Sequence, residues 1–524
     1  MTNGRVVRRV AGLLIGGLLL AGAARADGDV ERGRRLYLDG LRADGTPLRA
    51  AGANGIARIG RDAACAACHR RSGYGSAEGP FGVPPITSAD LFQDRAPVAA
   101  SARIAHQLGK PARPPYDGAS LRTALFAGAD PAGRALGVLM PRYTLGADEL
   151  RDLEAYLRTL GVGVPEGVDG EEIHFATVIQ PDVVPQRRAA LLAVLDTFVR
   201  DKNAAVRSEP ARRSAGAMRM QRAYRKWVLH VWDLSGPPAD WPGQLERYYR
   251  DRPVFALVSG IGDGDWAPIH RFSERRRVPC ILPVAMLPAL GEPDFYTLYF
   301  SGGLLLEAEG LGRSLAVRGG RVRQVYRAGD DAARAAARAL RAALTGSGTK
   351  VDDEAVAGAP DKPLVLGGGD DTAVVSWLRP DDLASARAGP APVYLAQALV
   401  PRAPPGWTEA PRVTRWEPDV QRAVRLRRVR DWLAARRLAL VDEEVQVNAW
   451  FAMSMLGEAL MHIMDSFSRE YLLEQVEHNV NVTILPSMYP RLSVGRDMRV
   501  AAHEVYIGDD GHALTQSGTA EVAP

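Results

Sequence analysis

Cysteine is scarce: the chain has three in 524 residues. Three thiols cannot staple a chain of this length, which excludes a disulfide scaffold. Long apolar runs are missing beyond the first twenty residues, so no later stretch is long enough to span a bilayer, which takes about 20 apolar residues. Excess charge of one sign is slight: 66 Lys+Arg stand against 61 Asp+Glu, a net +5. There is no P-loop, no GxGxxG in a first βα turn, no HExxH and no GxSxG. The Gly367-Gly368-Gly369-Asp370-Asp371 turn is too irregular for a nucleotide loop. What is abundant is ordinary: hydrophobic residues are 46% and charged residues 24% of the chain, which excludes wholesale disorder and a collagen-like fibre. The length argues for about three domains.

The first segment accounts for most of the charge. Arg5, Arg8 and Arg9 form a cationic start, residues 10–20 an apolar run, and Ala24-Arg25-Ala26 a small-x-small site. This pattern predicts a signal peptide over residues 1–26, cut before Asp27. No cysteine sits at the cut, so a lipid anchor is not expected. Removing the segment removes four arginines and no acid, and the net charge falls from +5 to +1. A nucleic-acid surface is therefore not expected. The mature chain reads as exported and periplasmic.

Residues 27–163 read as one unit, opening with a helix near 31–38 and closing with Leu150, Leu153, Leu157 and Leu160 on one helical face. Residues 164–170 end the aperiodic stretch GVGVPEGVDG and read as a linker. The texture then changes. Strand candidates at 173–179, 227–232, 254–258, 280–284, 296–300, 322–326, 364–366 and 393–396 alternate with helix candidates at 242–249, 267–276, 331–344 and 381–387. Two longer helices follow near 420–437 and 445–467. This is a βαβ series with strands covered on both faces, hence largely parallel sheets. The fold class is a small all-α domain followed by an α/β bilobal domain with Rossmann-like lobes.

The motif that carries chemistry is Cys65-Ala66-Ala67-Cys68-His69. C-x-x-C-H is the attachment site of c-type haem: two thiols one turn apart form thioethers to one macrocycle edge, and the adjacent His69 is the proximal iron ligand. A zinc site would need a second pair of ligands, and the third cysteine, Cys280, lies more than two hundred positions away. A redox dithiol would want a thioredoxin-like βαβ setting, absent here. Between 27 and 165 the one methionine is Met140, in Leu139-Met140-Pro141, and a thioether is a soft distal ligand suited to haem iron. His106 offers bis-histidine ligation as the rival.

Residues 28–160 resemble a class I, mono-haem cytochrome c. The matching features are Gly33-Arg34-Arg35-Leu36-Tyr37, the haem motif, Gly133-Arg134-Ala135-Leu136 before Met140-Pro141, and Tyr156-Leu157 in the closing helix. The resemblance implies one covalently bound haem c. It also implies that the first and last helices cross, packing a small residue near Gly33 against an aromatic near Tyr156. Pro84 and Pro85 resemble the family's proline whose carbonyl accepts the proximal imidazole N–H. The departure is a long insert at about 39–61.

The sequence from 171 to about 510 resembles a type I periplasmic binding protein of the leucine/isoleucine/valine-binding kind. The segments that carry this are 173–181, the run Val254-Phe255-Ala256-Leu257-Val258-Ser259-Gly260, the run Val278-Pro279-Cys280-Ile281-Leu282-Pro283, Tyr299-Phe300-Ser301 at a crossing between lobes, and Pro490-Arg491-Leu492-Ser493-Val494-Gly495. It implies a first lobe of 171–287 plus about 412–510 and a second of 288–411, with a ligand cleft at the carboxyl ends of the strands. Asp233, Ser259 and Gly260 are the cleft candidates. The loop after Pro283 carries no hydroxyl, which speaks against an amino-acid ligand.

Of the remaining features, seven arginines within 422–437 read as a solvated helix face, with a docking patch for an acidic redox partner as the functional alternative. Met453, Met455, Met461 and Met464 read as core, as does His462 beside them, and Cys280 as a buried thiol. The function expected is periplasmic electron transfer to or from a redox partner, a dehydrogenase or another cytochrome, with the C-terminal part as a ligand-binding or docking module and not an enzyme. Two alternatives stand: a solute receptor with an accessory haem, and, should Met140 leave the iron, a haem peroxidase.

Overall fold

The computed structural model describes residues 28–52, 55–78, 81–93, 113–208, 225–291, 295–357, 363–369, 371–416, 419–464 and 466–508. The expected cleavage site and His106 lie outside them. The chain divides into two compact units. One holds Met1–Ala67, Asp90–Ala96 and Ala112–Leu160, and the other holds Cys68–Ala89, Pro97–Pro111 and Gly161–Pro524.

The smaller unit opens with α1 (Val30–Asp39), whose N-cap Asp29 accepts hydrogen bonds from the Glu31 and Arg32 amides and whose C-cap is Gly40 in the left-handed region. The insert at 39–61 is structured: β1 (Arg49–Ala51) pairs antiparallel with β2 (Ala57–Ile59). α2 (Ala66–His69) straddles the division of the chain. The hairpin of β3 (Ser76–Glu78) and β4 (Phe81–Val83) groups with the larger unit, and α3 (Ser88–Phe92) follows it. Back in the smaller unit come α4 (Gly118–Phe126), β5 (Arg142–Tyr143), which pairs with β1, and α5 (Ala147–Leu157). α1 and α5 cross at Gly33, where a Cβ would lie 1.9 Å from the Asp152 carbonyl oxygen. Tyr37 and Tyr156 pack beside the crossing with ring centroids 5.1 Å apart.

In the larger unit the first sheet runs in the order β11-β9-β6-β8-β10-β12-β20, with β7 alongside β6. Its strands are β6 (Glu172–Ile179), β7 (Lys226–Asp233), β8 (Ala256–Val258), β9 (Ile261–Asp265), β10 (Cys280–Ile281), β11 (Val284–Leu287), β12 (Thr297–Ser301) and β20 (Val500–Ala502). All of its pairings are parallel. The second sheet runs β14-β13-β16-β18-β19-β21: β14 (Lys350–Val356), β13 (Arg321–Arg327), β16 (Thr372–Ser376), β18 (Val393–Ala396), β19 (Arg412–Thr414) and β21 (Tyr506–Gly508). Its β19–β21 pairing is antiparallel. β15 (Val365–Leu366) and β17 (Arg387–Ala388) form a separate pair.

The helices between strands are α6 (Pro185–Ser208), α7 (Trp241–Asp251), α8 (Ala267–Arg276), α9 (Gly303–Arg318), α10 (Asp331–Ala343), α11 (Pro380–Ala384), α12 (Asp419–Ala435), α13 (Glu443–Ile463) and α14 (Arg469–Val482). Each sheet builds its own apolar core. The first packs around Phe175, Leu191, Phe300, Phe451 and Leu472. The second packs around Leu304, Val325, Leu340, Val374 and Trp377.

Several expectations are corrected. The run 280–284 is not one strand: Leu282 has φ 52, and its neighbour Ser259 has φ 47 at the same level. Both chains break there and pair again as β9 and β11, so the sheet forks. The lobe boundaries move from 287/288 and 411/412 to just after Ser301 and Thr414, because β12 hydrogen-bonds into the first sheet and β19 into the second. The segment 164–170 is not a free linker: the His174 amide donates to the Gly167 carbonyl, Tyr249 donates to Glu166, and Gly167 sits with φ 85 against the backbone of Val254 and Phe255. The basic face of α12 is largely occupied. Arg425 donates to the Ser487 and Met488 carbonyls, Arg430 and Arg422 pair with Glu443, and beyond the helix Arg436 pairs with Asp201. Met453 and Met455 are core, but Met461 is exposed and His462 only half-buried at the end of α13.

Candidate haem site and strand-end cleft

The haem motif sits on one helical turn. Cys65 precedes α2, and Cys68 and His69 close it; neither thiol is in a disulfide. His69 is 6% exposed and its Nδ1–H donates to the Pro84 carbonyl at 2.9 Å. That bond fixes the tautomer and leaves Nε2 without the proton, as a nitrogen able to ligate a metal. Burial pushes the His69 imidazolium down to about 4, against a smaller upward effect of the Pro84 bond, so the ring is neutral near pH 7. The loop that delivers Pro84 is held by Gly75 donating to the His69 carbonyl and Ile86 to the Gly73 carbonyl. Gly75 is required: with φ +78, its Cβ would stand 2.1 Å from the Val83 carbonyl oxygen. Two thiols and a neutral, oriented imidazole on one turn fit a covalently attached haem. Met140 lies half-buried in the smaller unit, its amide bonded to the Gly137 carbonyl and its carbonyl accepting from Arg142.

The family model for cytochrome c matches residues 56–161. A cytochrome c domain is present. The match begins downstream of α1, which packs on α5 within the same unit. No curated protein matches the chain. Among solved structures, a branched-chain amino acid ABC transporter protein from Thermus thermophilus with bound valine is 13% identical, covering 67% of this chain and 98% of its own at a TM-score of 0.47. A fatty acid ABC transporter substrate-binding protein from Thermomonospora curvata is 16% identical, covering 68% and 96% at 0.45. A solute-binding protein from R. palustris in complex with benzoate is 13% identical, covering 66% and 96% at 0.45. The ligands named are those of these proteins; the two-sheet fold of this chain rests on its own strand order.

The strand-end candidates fare unequally. Ser259 and Gly260 are buried at the fork, with the Ser259 amide donating to Ile281 and its carbonyl accepting from Thr177. The Ser259 hydroxyl is buried without a partner among the described residues. Asp233 shares this edge, in register with Ile179. Its carboxylate, however, is exposed and taken by Arg188 at 2.8 Å. Two further clusters carry no local signal in the sequence. Gln180, just past β6, clasps β9: its Nε2 donates to the Asp265 carbonyl and its Oε1 accepts from the Gly264 amide. Arg415, just past β19, pairs with Glu307 of α9 and Glu444 of α13, each at 2.9 Å, and donates to Ser301 at the end of β12. Both pairs are enclosed, and they gather two chain crossings between the sheets. Burial raises the Glu307 carboxyl and Arg415 opposes it, while its carboxylate partners raise the Arg415 guanidinium despite burial.

Proposed function

We propose that this chain is an exported one-electron carrier. One haem c is bound through Cys65 and Cys68, with His69 as proximal and Met140 as distal ligand. The observation that carries this reading is the His69–Pro84 hydrogen bond, which orients a buried neutral imidazole beside the two thiols. When bound, the haem supplies the one-electron couple. Held by His69 and Met140, the haem would pass electrons without binding small molecules, and a thioether ligand would raise its potential. The Pro84 carbonyl holds the His69 ring. The redox partner is a periplasmic dehydrogenase or another cytochrome. Residues 1–26 are the export signal.

The test is purification from periplasm, with N-terminal sequencing and visible spectroscopy. The expected protein starts at Asp27 and shows a low-spin c-type spectrum in both redox states. A high-spin, five-coordinate spectrum, or peroxide turnover above that of free haem, would sink the His/Met carrier.

A second reading is that the larger unit receives a solute. The Ser259 hydroxyl favours it: a strained, buried, unpartnered donor at a strand end is the sort of group a ligand would satisfy. A ligand at 100 times its Kd stabilises its receptor by about 2.7 kcal/mol. A thermal-shift screen over small acids, amides and alcohols therefore decides, and silence throughout counts against a solute.

A further inference from the structure

The loop that leaves the proximal histidine is fastened on its outer side to α14, within the larger unit. Ser72 is buried, and both its donors go to one carboxylate: its amide reaches Glu474 Oε1 at 2.9 Å and its hydroxyl Glu474 Oε2 at 2.5 Å. Tyr74 stacks on Tyr471, one turn before Glu474, with centroids 4.3 Å apart and planes 17° apart. The Arg71 guanidinium lies 4.1 Å from the centre of the Phe295 ring.

Glu474 is an unusual group to bury there. The two bonds it accepts from Ser72 are from neutral donors. A second carboxylate, Glu477, stands one turn on along the same helix, and the guanidinium bonded in this cluster, Arg499, is held by Glu477 and by the Phe295 carbonyl. The other titratable groups facing Glu474 are Arg70 from the loop and Tyr471 from α14. Burial lifts the Glu474 carboxyl to about 8; Ser72 and Arg70 work against this and Glu477 with it. The residue keeps 9% exposure, which leaves it within reach of water.

A buried carboxylate that holds Ser72, three residues beyond the expected haem ligand His69, would feel a change of one charge on that haem through a low dielectric. We propose that Glu474 is the proton partner of the haem's electron. When one electron arrives from a one-electron donor, the Glu474 carboxylate takes one proton from water, and when the electron leaves, the acid returns it. No bond other than O–H forms or breaks, and charge balances at each turn. This rests on reading Cys65, Cys68 and His69 as the haem site.

The experiment is spectroelectrochemical titration of the haem-loaded full chain from pH 6 to 10 with small mediators, for wild type, Glu474→Gln and Ser72→Ala. The wild-type midpoint potential is expected to fall with rising pH across a window near 8, and Glu474→Gln to abolish that slope. Ser72→Ala removes one donor to the carboxylate and moves the window to higher pH, which keeps the idea testable if the glutamine variant does not fold. Redox-difference infrared spectra should show a protonated carboxyl band appearing on reduction in wild type and absent from Glu474→Gln. A flat wild-type potential between pH 7 and 9 overturns the proposal, as does a wild-type slope in Glu474→Gln or an unmoved window in Ser72→Ala. A chain that carries no covalent haem overturns the haem reading and the proposal together; a haem protein with a pH-flat potential overturns the Glu474 role alone.

Discussion

Cys65, Cys68 and His69 lie within one turn, and His69 bonds the Pro84 carbonyl 15 positions on. Ser72 meets Glu474 from 402 positions away, and Arg415 meets Glu307 from 108. No local pattern marks such pairs. Arg415 has a sharp consequence. Its side chain is 5% exposed and Glu307 fully enclosed, so removing the cation leaves Glu307 either as an unpaired buried charge or forced to take up a proton. Breaking one partner of such a pair costs about 3–5 kcal/mol. Arg415→Met should lower the urea midpoint accordingly, and adding Glu307→Gln should recover part of the loss. A cost under about 1 kcal/mol in the single variant would mean that Glu307 is already neutral or hydrated.

At the scale of elements, period and burial decided what could be read. The apolar runs of β6, β7, β12 and β18 and the capped helix α10 match their expected places to within a residue or two. α14 was missed because three of its buried positions are Glu474, Glu477 and Asn479, which erase the apolar stripe. β14 was missed because it lies at a sheet edge with polar, half-exposed residues. β16, buried throughout, was too short to stand out beside a Gly-Asp turn.

The α1–α5 crossing, implied by the cytochrome c resemblance and present at Gly33 and Tyr156, separates two opposing effects. Gly33→Ala raises helix propensity by about 1 kcal/mol. It also drives a methyl into the Asp152 carbonyl, which is backbone and cannot swing away. Overpacking of this kind costs about 1–3 kcal/mol. We expect net destabilisation, seen as a lower melting temperature followed through the haem absorbance. A raised melting temperature in Gly33→Ala would show that the helices separate freely.

Over the whole molecule, the sign of the pH dependence follows from which groups are displaced and in which direction. Acids held low, such as Glu246 by the hydrogen bond from Arg276, stabilise the fold above their unfolded value and lose that contribution only as pH falls through their folded one. Their window lies below about pH 4.5. In the haem-free chain His69, held down to about 4 by burial, favours the fold increasingly as pH rises from about 4 to 6.5, and its contribution is then complete. Glu474 runs the other way. With a folded value of about 8, the native state keeps a proton that the unfolded chain has already released, so stability falls as pH rises from about 4.5 through 8. Glu307, raised to about 7, adds to this fall until near neutrality. Between pH 7 and 8 Glu474 therefore dominates, with a slope of up to about 1.4 kcal/mol per pH unit. Urea unfolding of the fully oxidised protein at pH 6.5, 7, 7.5 and 8 should show stability declining, and Glu474→Gln should flatten the decline above pH 7 while keeping one of the two oxygens that accept from Ser72. Stability that rises across this interval in wild type would place the Glu474 carboxylate in the ionised form throughout, with the two Ser72 donors outweighing burial.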